Sequence, residues 1–300
     1  MNIIEQAARR LEELRRSGVE VPRGRGTAAP SASPRPSKER LSGGSDAADP
    51  VVESGANSRQ VEIDLDRLMS MGYLTPSNSR SQIASEFRII KRPLLMNIHG
   101  QSAAPVERAN LVMVTSGLPG EGKTFVSLNL AISISMELDC QVLYVDADVS
   151  RPAVLDRLGL PPAPGLLDLL ADPSLRMSDV LLRTNIERLT LLPAGSAHAH
   201  ATELLASEGM RARLDQMASR YGDRVIVFDA PPLLPSTESR VLATRMGQVV
   251  VVVEADQTSQ RTVTEVMAAL EVCPVVLPVL NKTSRSEVGS YYGSYGSARE

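Results

Sequence analysis

The hydrophobic pattern predicts alternating strands and helices from residue 110 onward. Four segments, LVMVT, QVLYVD, RVIVFD and QVVVVV, are almost continuously apolar, as is typical of strands buried on both faces of a parallel sheet. The predicted strands are 111–115, 141–146, 188–192, 224–229, 248–253 and 275–280. The predicted helices are 123–137, 152–158, 201–220, 237–245 and 260–271. This order predicts a doubly wound α/β domain with a mostly parallel sheet, which binds ligands at the carboxyl ends of its strands.

Three segments precede these strands. Residues 1–17 carry apolar side chains at three- and four-residue spacing, which predicts a short amphipathic helix that packs on its own domain or on a partner. Residues 18–58 are rich in Pro, Gly, Ser and Ala. Such a segment buries too little apolar surface to offset its ordering entropy, so we expect a disordered linker. Helical patterns at 61–74 and 81–98 lead into the sheet, and we assign 59–281 to one domain.

Residues 282–300 are predicted to form a flexible tail. They are dominated by Gly and Ser, yet they hold three of the six tyrosines of the chain: Tyr291, Tyr292 and Tyr295. A tail of this composition offers aromatic rings little to pack against. Packing therefore does not explain the tyrosine cluster, and a functional role is the better interpretation.

Composition excludes several classes of protein. With 43% hydrophobic and 22% charged residues, the chain is an ordinary globular sequence. A net charge of −3 does not favour binding to nucleic acid. The VVVVV run at 249–253 is too short to span a bilayer, and the N-terminus lacks the apolar region of a signal peptide. Cys140 and Cys273 have no metal-binding spacing. We expect a cytoplasmic protein with buried, reduced thiols.

A glycine-rich loop follows the first of these strands. Residues 117–124, GLPGEGKT, match G-x-x-x-x-G-K-[ST] between a predicted strand and a predicted helix. Its glycines let backbone N–H groups surround phosphate oxygens, and the start of the helix adds the positive end of its dipole. Lys123 would contact the outer phosphates, and the Thr124 hydroxyl would bind Mg²⁺. The predicted nucleotide-binding residues here are Gly117, Pro119, Gly120, Glu121, Gly122, Lys123, Thr124 and Phe125.

Three aspartates stand at the ends of two predicted strands. Asp146 and Asp148 close QVLYVDAD, and Asp229 closes RVIVFD. Burying a carboxylate at the tip of an apolar strand is costly unless a cation or hydrogen bonds compensate. Mg²⁺ beside nucleotide phosphates would be such a cation. The alternative is that one of them, Asp148 above all, caps a helix.

Other chemistries find no support. The three histidines, His99, His198 and His200, have no Cys or carboxylate at ligand spacing, so no histidine metal site is predicted. The HRD and DFG motifs of eukaryotic-type kinases are absent from the sequence. No serine has the histidine and aspartate context of a hydrolase triad.

Taken together, the motifs resemble those of a known family. SGLPGEGKT, VLYVDADVSRP and VIVFDAPPLL are similar to the Walker A, A′ and B motifs of the bacterial tyrosine kinases, an offshoot of the MinD/ParA-like P-loop NTPases. IEQAARRLEELRRSG, IASEFRIIKRPLL and LLPAGSAHAHATELLAS resemble the XrtA-associated tyrosine autokinases of exopolysaccharide gene clusters. The resemblance covers nearly the whole chain apart from the linker.

This resemblance implies an ATP-dependent tyrosine autokinase that regulates exopolysaccharide synthesis or export. Its cofactors would be ATP and Mg²⁺, and its acceptors would be the tail tyrosines of another copy. The implied catalytic residues are Lys123, Asp146, Asp148 and Asp229, and the implied metal-binding residues are Thr124, Asp146 and Asp229. Asn281 matches the position that recognises the base, although it could instead cap the last strand.

The resemblance also implies partners and a location. The chain would form homo-oligomers and would be recruited by the cytosolic tail of a membrane polysaccharide chain-length-determinant protein. It would then lie at the inner face of the plasma membrane without a span of its own, and it would not bind nucleic acid.

The sequence departs from the family pattern at several positions. The family's Glu-x-x-Arg-x-x-Arg motif, which serves ring assembly, aligns with Ser85, Arg88 and Lys91. Within the A′ motif, Ser150 stands where many members have a first arginine, and only Arg151 is kept. The additional Walker lysine of partition ATPases is missing.

Two other functions stay open beside the kinase. One is a MinD/ParA-like ATPase switch that positions a partner, and the other is a nucleotide-binding adaptor without turnover. The tail argues against the switch, because a membrane-positioning ATPase should end in a basic amphipathic helix.

Overall fold

An eight-stranded sheet runs through residues 59–220 and 224–283, the part of the chain that the computed structural model describes. Its strands are β1 Arg59–Gln60, β2 Leu111–Ser116, β3 Gln141–Asp146, β4 Leu182–Arg183, β5 Leu189–Leu192, β6 Arg224–Asp229, β7 Gln248–Glu254 and β8 Val275–Asn281. Their order across the sheet is β1-β4-β5-β3-β6-β2-β7-β8. Only β4 and β5 pair in antiparallel fashion among the described strands.

Helices cover both faces of the sheet. They are α1 Leu65–Ser70, α2 Gln82–Ile98, α3 Lys123–Ser135, α4 Val154–Arg157, α5 Leu166–Ala171, α6 Met177–Val180, α7 Ala201–Ala206, α8 Glu208–Arg220, α9 Thr237–Ala243 and α10 Gln260–Ala269. A short 3₁₀ helix, Pro76–Asn78, lies between α1 and α2.

Successive residues of the central strands enter two different cores. Leu111 and Met113 of β2 pack in a core with residues of α5 to α10. Val112 and Val114 pack in a second core with residues of α1 to α4. Because both faces are covered, every position of such a strand is buried, which explains the continuous apolar runs.

The predicted doubly wound α/β fold is confirmed, and each of the six predicted strands is present with ends within one residue of those expected. These strands bring the residues after β2, β3, β6 and β8 to one edge of the sheet. Ligands of parallel α/β sheets bind at this carboxyl edge.

Two predicted helices were wrong in extent. The 61–74 segment is helical only over α1, because Asp64 accepts a hydrogen bond from the Arg67 N–H at 2.9 Å and caps its start. Gly72, with φ +83°, follows its end in the left-handed region. The 201–220 segment is two helices, because Ser207 has an extended backbone and accepts a hydrogen bond from the Met210 N–H at 3.1 Å.

The predicted N-terminal helix and linker, and the tail from residue 284 onward, lie outside the described residues. Within residues 59–220 and 224–283, none of the helices combines the length and the apolar character that a bilayer span requires.

Candidate active site

The glycine-rich loop connects β2 to α3 at the carboxyl edge of the sheet. Gly120 and Gly122 have φ of +93° and +98°, which side chains rarely tolerate. A Cβ on Gly122 would also lie 2.1 Å from the Asn281 side-chain nitrogen. Helix α3 begins directly after this glycine, at Lys123. The loop and the first turn of α3 therefore have the local geometry of a phosphate-binding helix N-terminus.

Lys123 lies among the aspartates that the sequence singled out. Its ammonium nitrogen is 2.6 Å from Asp148 Oδ2 and 3.9 Å from Asp229 Oδ1. The Thr124 hydroxyl is 3.5 Å from the same nitrogen. The structure thus brings the predicted phosphate-binding lysine, the predicted metal-binding hydroxyl and two strand-end carboxylates into one cluster.

Asp146 and Asp229 are paired in register at the ends of the neighbouring strands β3 and β6. Asp146 accepts backbone hydrogen bonds from the N–H groups of Asp148 and Val154 at 3.3 and 3.4 Å. Burial, and secondarily the nearby Asp229 carboxylate, raise the pKa of Asp146 to about 8. Burial also raises the pKa of Asp229, while Lys123 acts in the opposite direction. Two carboxyl groups in this setting favour a cation between or beside them.

A cavity of about 460 Å³ opens in front of this cluster. From the predicted set, its lining includes Pro119, Gly120, Gly122, Lys123, Thr124, Phe125 and Asp148. Arg151 and Arg157 also line it and add positive charge. Sequence reasoning did not select Arg157, because it lies five residues beyond the end of the A′ motif, on α4.

In the nucleotide-free chain, the side chains of Glu121 and Asn281 form hydrogen bonds within the loop and to its neighbours. The Glu121 carboxylate accepts hydrogen bonds from the Leu118 N–H and the Thr258 hydroxyl. The Asn281 side-chain nitrogen donates to the Glu121 carbonyl at 2.8 Å. Neither side chain lines the 460 Å³ cavity, and both support the loop from its outer side.

The site has the donors that Mg²⁺ would require when it arrives with a nucleotide. Asp229 Oδ1 is buried and accepts no hydrogen bond from the described residues. Among these residues, no three His, Cys, Asp or Glu side chains are grouped closely enough to hold a metal ion themselves. Mg²⁺ commonly takes one or two carboxylates and completes its shell with water and phosphate oxygens. The Asp229 carboxylate, which has one oxygen without a hydrogen bond and lies beside Thr124, fits this mode of binding.

The basic residues aligned with the family's ring-assembly motif contact their own chain. Arg88 donates a hydrogen bond to the Ser79 carbonyl. Lys91 is buried; its ammonium group donates to the Ser133 carbonyl at 2.5 Å and lies 2.7 Å from Glu137. The tyrosines Tyr291, Tyr292 and Tyr295 lie outside the described residues.

Comparison with known proteins gives consistent matches. A family model described as AAA domain matches residues 111–275. Tyrosine-protein kinase ptk of Acinetobacter johnsonii is 31% identical over 184 residues, which cover 61% of this chain and 25% of ptk. Tyrosine-protein kinase YwqD of Bacillus subtilis is 29% identical over 230 residues, covering 76% of this chain and 92% of YwqD. Two relatives from Ralstonia are also covered over only 25% of their length.

A solved structure agrees with these matches. The kinase domain of VpsO has a TM-score of 0.54 and 31% sequence identity, and the match covers 68% of this chain and 100% of that domain. The match to the AAA domain model includes the loop, the two aspartate motifs and the strands that carry them, because residues 111–275 contain all of these.

Proposed function

The chain belongs to the AAA domain family, in its bacterial tyrosine-kinase branch, and on this premise we propose that it is an ATP-dependent protein-tyrosine autokinase. The observation that carries the proposal is the cluster of Lys123, Asp148 and Asp229 behind the glycine-rich loop, with separations of 2.6 and 3.9 Å. Phosphoryl transfer depends on positioned charge of this kind more than on covalent chemistry by the protein.

In the proposed reaction, the backbone N–H groups of the loop bind the phosphates of ATP and Lys123 exchanges Asp148 for a phosphate oxygen. Thr124, Asp146 and Asp229 would hold Mg²⁺, with Asp148 beside them. When bound, Mg²⁺ neutralises charge on the transferred group. A tyrosine hydroxyl oxygen bonds to the γ-phosphorus, the bond to the bridging oxygen breaks, and ADP leaves.

The phenolic proton would pass to Asp146. Burial raises the pKa of this carboxyl to about 8 in the nucleotide- and metal-free protein. A cation bound beside it would lower this pKa and leave the ionised carboxylate that can accept the proton. Base recognition is assigned to Asn281, which adjoins the loop through its hydrogen bond to Glu121.

The proposed acceptors are Tyr291, Tyr292 and Tyr295 in the tail of a second copy, and the proposed role is regulation of exopolysaccharide synthesis or export. The resemblance of the N-terminal segment and of LLPAGSAHAHATELLAS to the autokinases of exopolysaccharide clusters supports this role. We propose a cytoplasmic protein that reaches the membrane through the cytosolic tail of a chain-length-determinant protein. That tail should raise a weak basal activity when it is added as a peptide.

One experiment separates the kinase from the ATPase switch. The purified chain is incubated with Mg²⁺ and ATP labelled on the γ-phosphate, and label on protein is compared with label released as inorganic phosphate. A kinase places label on tyrosine at a rate comparable with ADP formation. Release of phosphate without labelled tyrosine would support the switch instead, and the absence of both would support a non-hydrolysing adaptor.

A further inference from the structure

The outer side of the glycine-rich loop, away from the cavity, is held by residues from two other parts of the chain. Thr258 belongs to the connection between β7 and α10, and Asn281 and Lys282 stand at the end of β8. We call these three residues together with Glu121 the outer clasp.

Glu121 is the centre of the outer clasp. Its side chain is buried, at 3% exposure for the residue. Its Oε2 accepts a hydrogen bond from the Leu118 N–H at 2.7 Å, and its Oε1 accepts one from the Thr258 hydroxyl. The Thr258 hydroxyl oxygen in turn accepts a hydrogen bond from the Glu254 N–H at 3.1 Å.

No Lys or Arg of residues 59–220 and 224–283 forms an ion pair with Glu121. A buried carboxylate without a cation is costly, and only its hydrogen bonds compensate. Those bonds join Leu118 to Glu121 across the turn and attach the turn to the β7–α10 connection. The residue whose burial costs free energy is therefore also the residue that fixes the shape of the loop.

The other two members of the outer clasp hold loop carbonyls. Lys282 donates to the Gly120 carbonyl and Asn281 to the Glu121 carbonyl, each at 2.8 Å. In a planar trans peptide, the carbonyl and the following N–H point in opposite directions. Holding these two carbonyls outward therefore directs the N–H groups of Glu121 and Gly122 away from the clasp. Lys282 is itself held, because its ammonium group lies 2.9 Å from Glu254.

We propose that Glu121, anchored by Thr258, is a positioning residue that fixes the glycine-rich loop in its phosphate-binding shape before nucleotide arrives. A loop that is already ordered loses less entropy when it binds its ligand. Glu121 acts through the loop backbone and does not contact the phosphates with its own side chain. This inference rests on the proposed function, because it presumes that the loop binds a nucleotide phosphate.

Four substitutions test the hydrogen bond between Glu121 and Thr258. Glu121→Ala and Thr258→Val remove the hydrogen bonds between the two side chains. Glu121→Gln keeps one acceptor for the Leu118 N–H and offers an amide donor to the Thr258 oxygen, and Thr258→Ser keeps the hydroxyl. The matched control is Asp168→Ala, because Asp168 also caps a loop, accepting from the N–H groups of Gly165 and Ser196 at 2.8 and 3.0 Å, and it does not line the 460 Å³ cavity.

The readout is the Kd for ADP with Mg²⁺, measured by titration calorimetry, together with the melting temperature of each nucleotide-free variant. We expect Glu121→Ala and Thr258→Val to weaken ADP binding at least about tenfold, and Glu121→Gln and Thr258→Ser by less than about threefold. The double variant that combines Glu121→Ala with Thr258→Val should bind ADP no more weakly than Glu121→Ala alone, because both changes break the same contact. Asp168→Ala should lower the melting temperature and leave the Kd unchanged.

Several results would overturn the inference. One is an unchanged Kd in Thr258→Val, which is informative even if Glu121→Ala fails to fold. Another is an equal loss of affinity in Asp168→Ala, which would mean that ADP binding follows general stability. If the unmodified chain bound no ADP, the inference and the proposed function would both fail. If it bound ADP and phosphorylated its tail while all four variants bound equally well, the inference alone would fail.

Discussion

The ammonium group of Lys123 lies 2.6 Å from a carboxylate oxygen of Asp148. Both side chains are largely buried, at 14% and 7% exposure, so water screens their interaction little. In the nucleotide-free protein, the charge that the loop would present to a phosphate is therefore already paired with a residue of the A′ motif.

This pairing predicts opposite effects of Asp148→Asn on binding and on transfer. Removing the carboxylate frees Lys123 and removes a negative charge that repels phosphates, so Mg²⁺-free ADP should bind several-fold more tightly. Phosphoryl transfer from Mg-ATP should fall at least about tenfold, because the environment of the metal is altered. Titration calorimetry in chelator and an autokinase assay measure the two effects. Asp66→Asn, an equal charge change at an exposed position of α1, is the control. Weaker Mg²⁺-free binding in Asp148→Asn would contradict the account.

The buried Asp146 predicts how stability depends on pH. Its pKa is about 8 in the folded chain against an ordinary 3.8, so between these values the folded state holds more protons than the unfolded state. Stability of the nucleotide- and metal-free protein should therefore fall as pH rises from about 4 to 8, by at most about 1.4 kcal/mol per pH unit from this group. Asp229, whose pKa is also raised, acts in the same direction.

Asp146→Asn removes this titration. Relative to the unmodified chain, the variant should become more stable as the pH is raised, which urea unfolding at pH 5 and pH 8 in chelator would measure. Asp66→Asn should show no such trend. The quantity to compare is the free energy of unfolding of Asp146→Asn minus that of the unmodified chain. If it were equal at both pH values, or higher at pH 5 than at pH 8, the carboxyl would be ionised in the folded state.

The buried contacts of Lys91, which the sequence does not reveal, predict that replacing this residue destabilises the fold. Its ammonium group joins α2 to the last turn of α3, through the Ser133 carbonyl and Glu137. Lys91→Met keeps most of the buried stem but removes these contacts, and it should cost about 1–3 kcal/mol in the free energy of unfolding. Arg92→Met, at an exposed neighbouring position, should change stability by less than about 0.5 kcal/mol. Urea unfolding of both variants tests this, and equal effects would refute a specific role for Lys91.

The sequence predicted best where the local pattern and the tertiary structure agree. The strands β2, β3, β6 and β7 have continuous apolar runs because both their faces are covered, and the loop and aspartates stand directly at their ends. By contrast, β1 and β4 have two residues each and carry no periodicity that could be recognised. The four-residue α6 was missed for the same reason.

The residues that sequence reasoning missed lie at the site only because the fold brings them there. Thr258 is separated from Glu121 by 137 positions and Lys282 from Gly120 by 162. One signal was available: a glutamate within an otherwise small and apolar loop requires a partner if it is buried. Nothing in the sequence could identify that partner, because the register of β7 and β8 against the loop decides it.

We expect the tail tyrosines to be the acceptors of the phosphate. Replacing Tyr291, Tyr292 and Tyr295 together by Phe should remove nearly all phosphotyrosine and leave ADP affinity unchanged, because the loop and aspartates are intact. Tyr73 and Tyr144 are 2% and 0% exposed, so neither hydroxyl can replace the tail as an acceptor in the folded chain. Anti-phosphotyrosine blotting and calorimetry check the two expectations. Persistent label in the triple variant would mean that the tail is not the main acceptor.

The most direct test of the central claim is mass spectrometry of the purified chain after incubation with Mg-ATP, beside Lys123→Met treated in the same way. The account predicts one to three added phosphates per chain, located on Tyr291, Tyr292 and Tyr295, and at least about a thousandfold less in Lys123→Met with an unchanged circular dichroism spectrum. Equal phosphorylation of Lys123→Met, or ATP hydrolysis by the unmodified chain with no phosphate on any tyrosine, would contradict it.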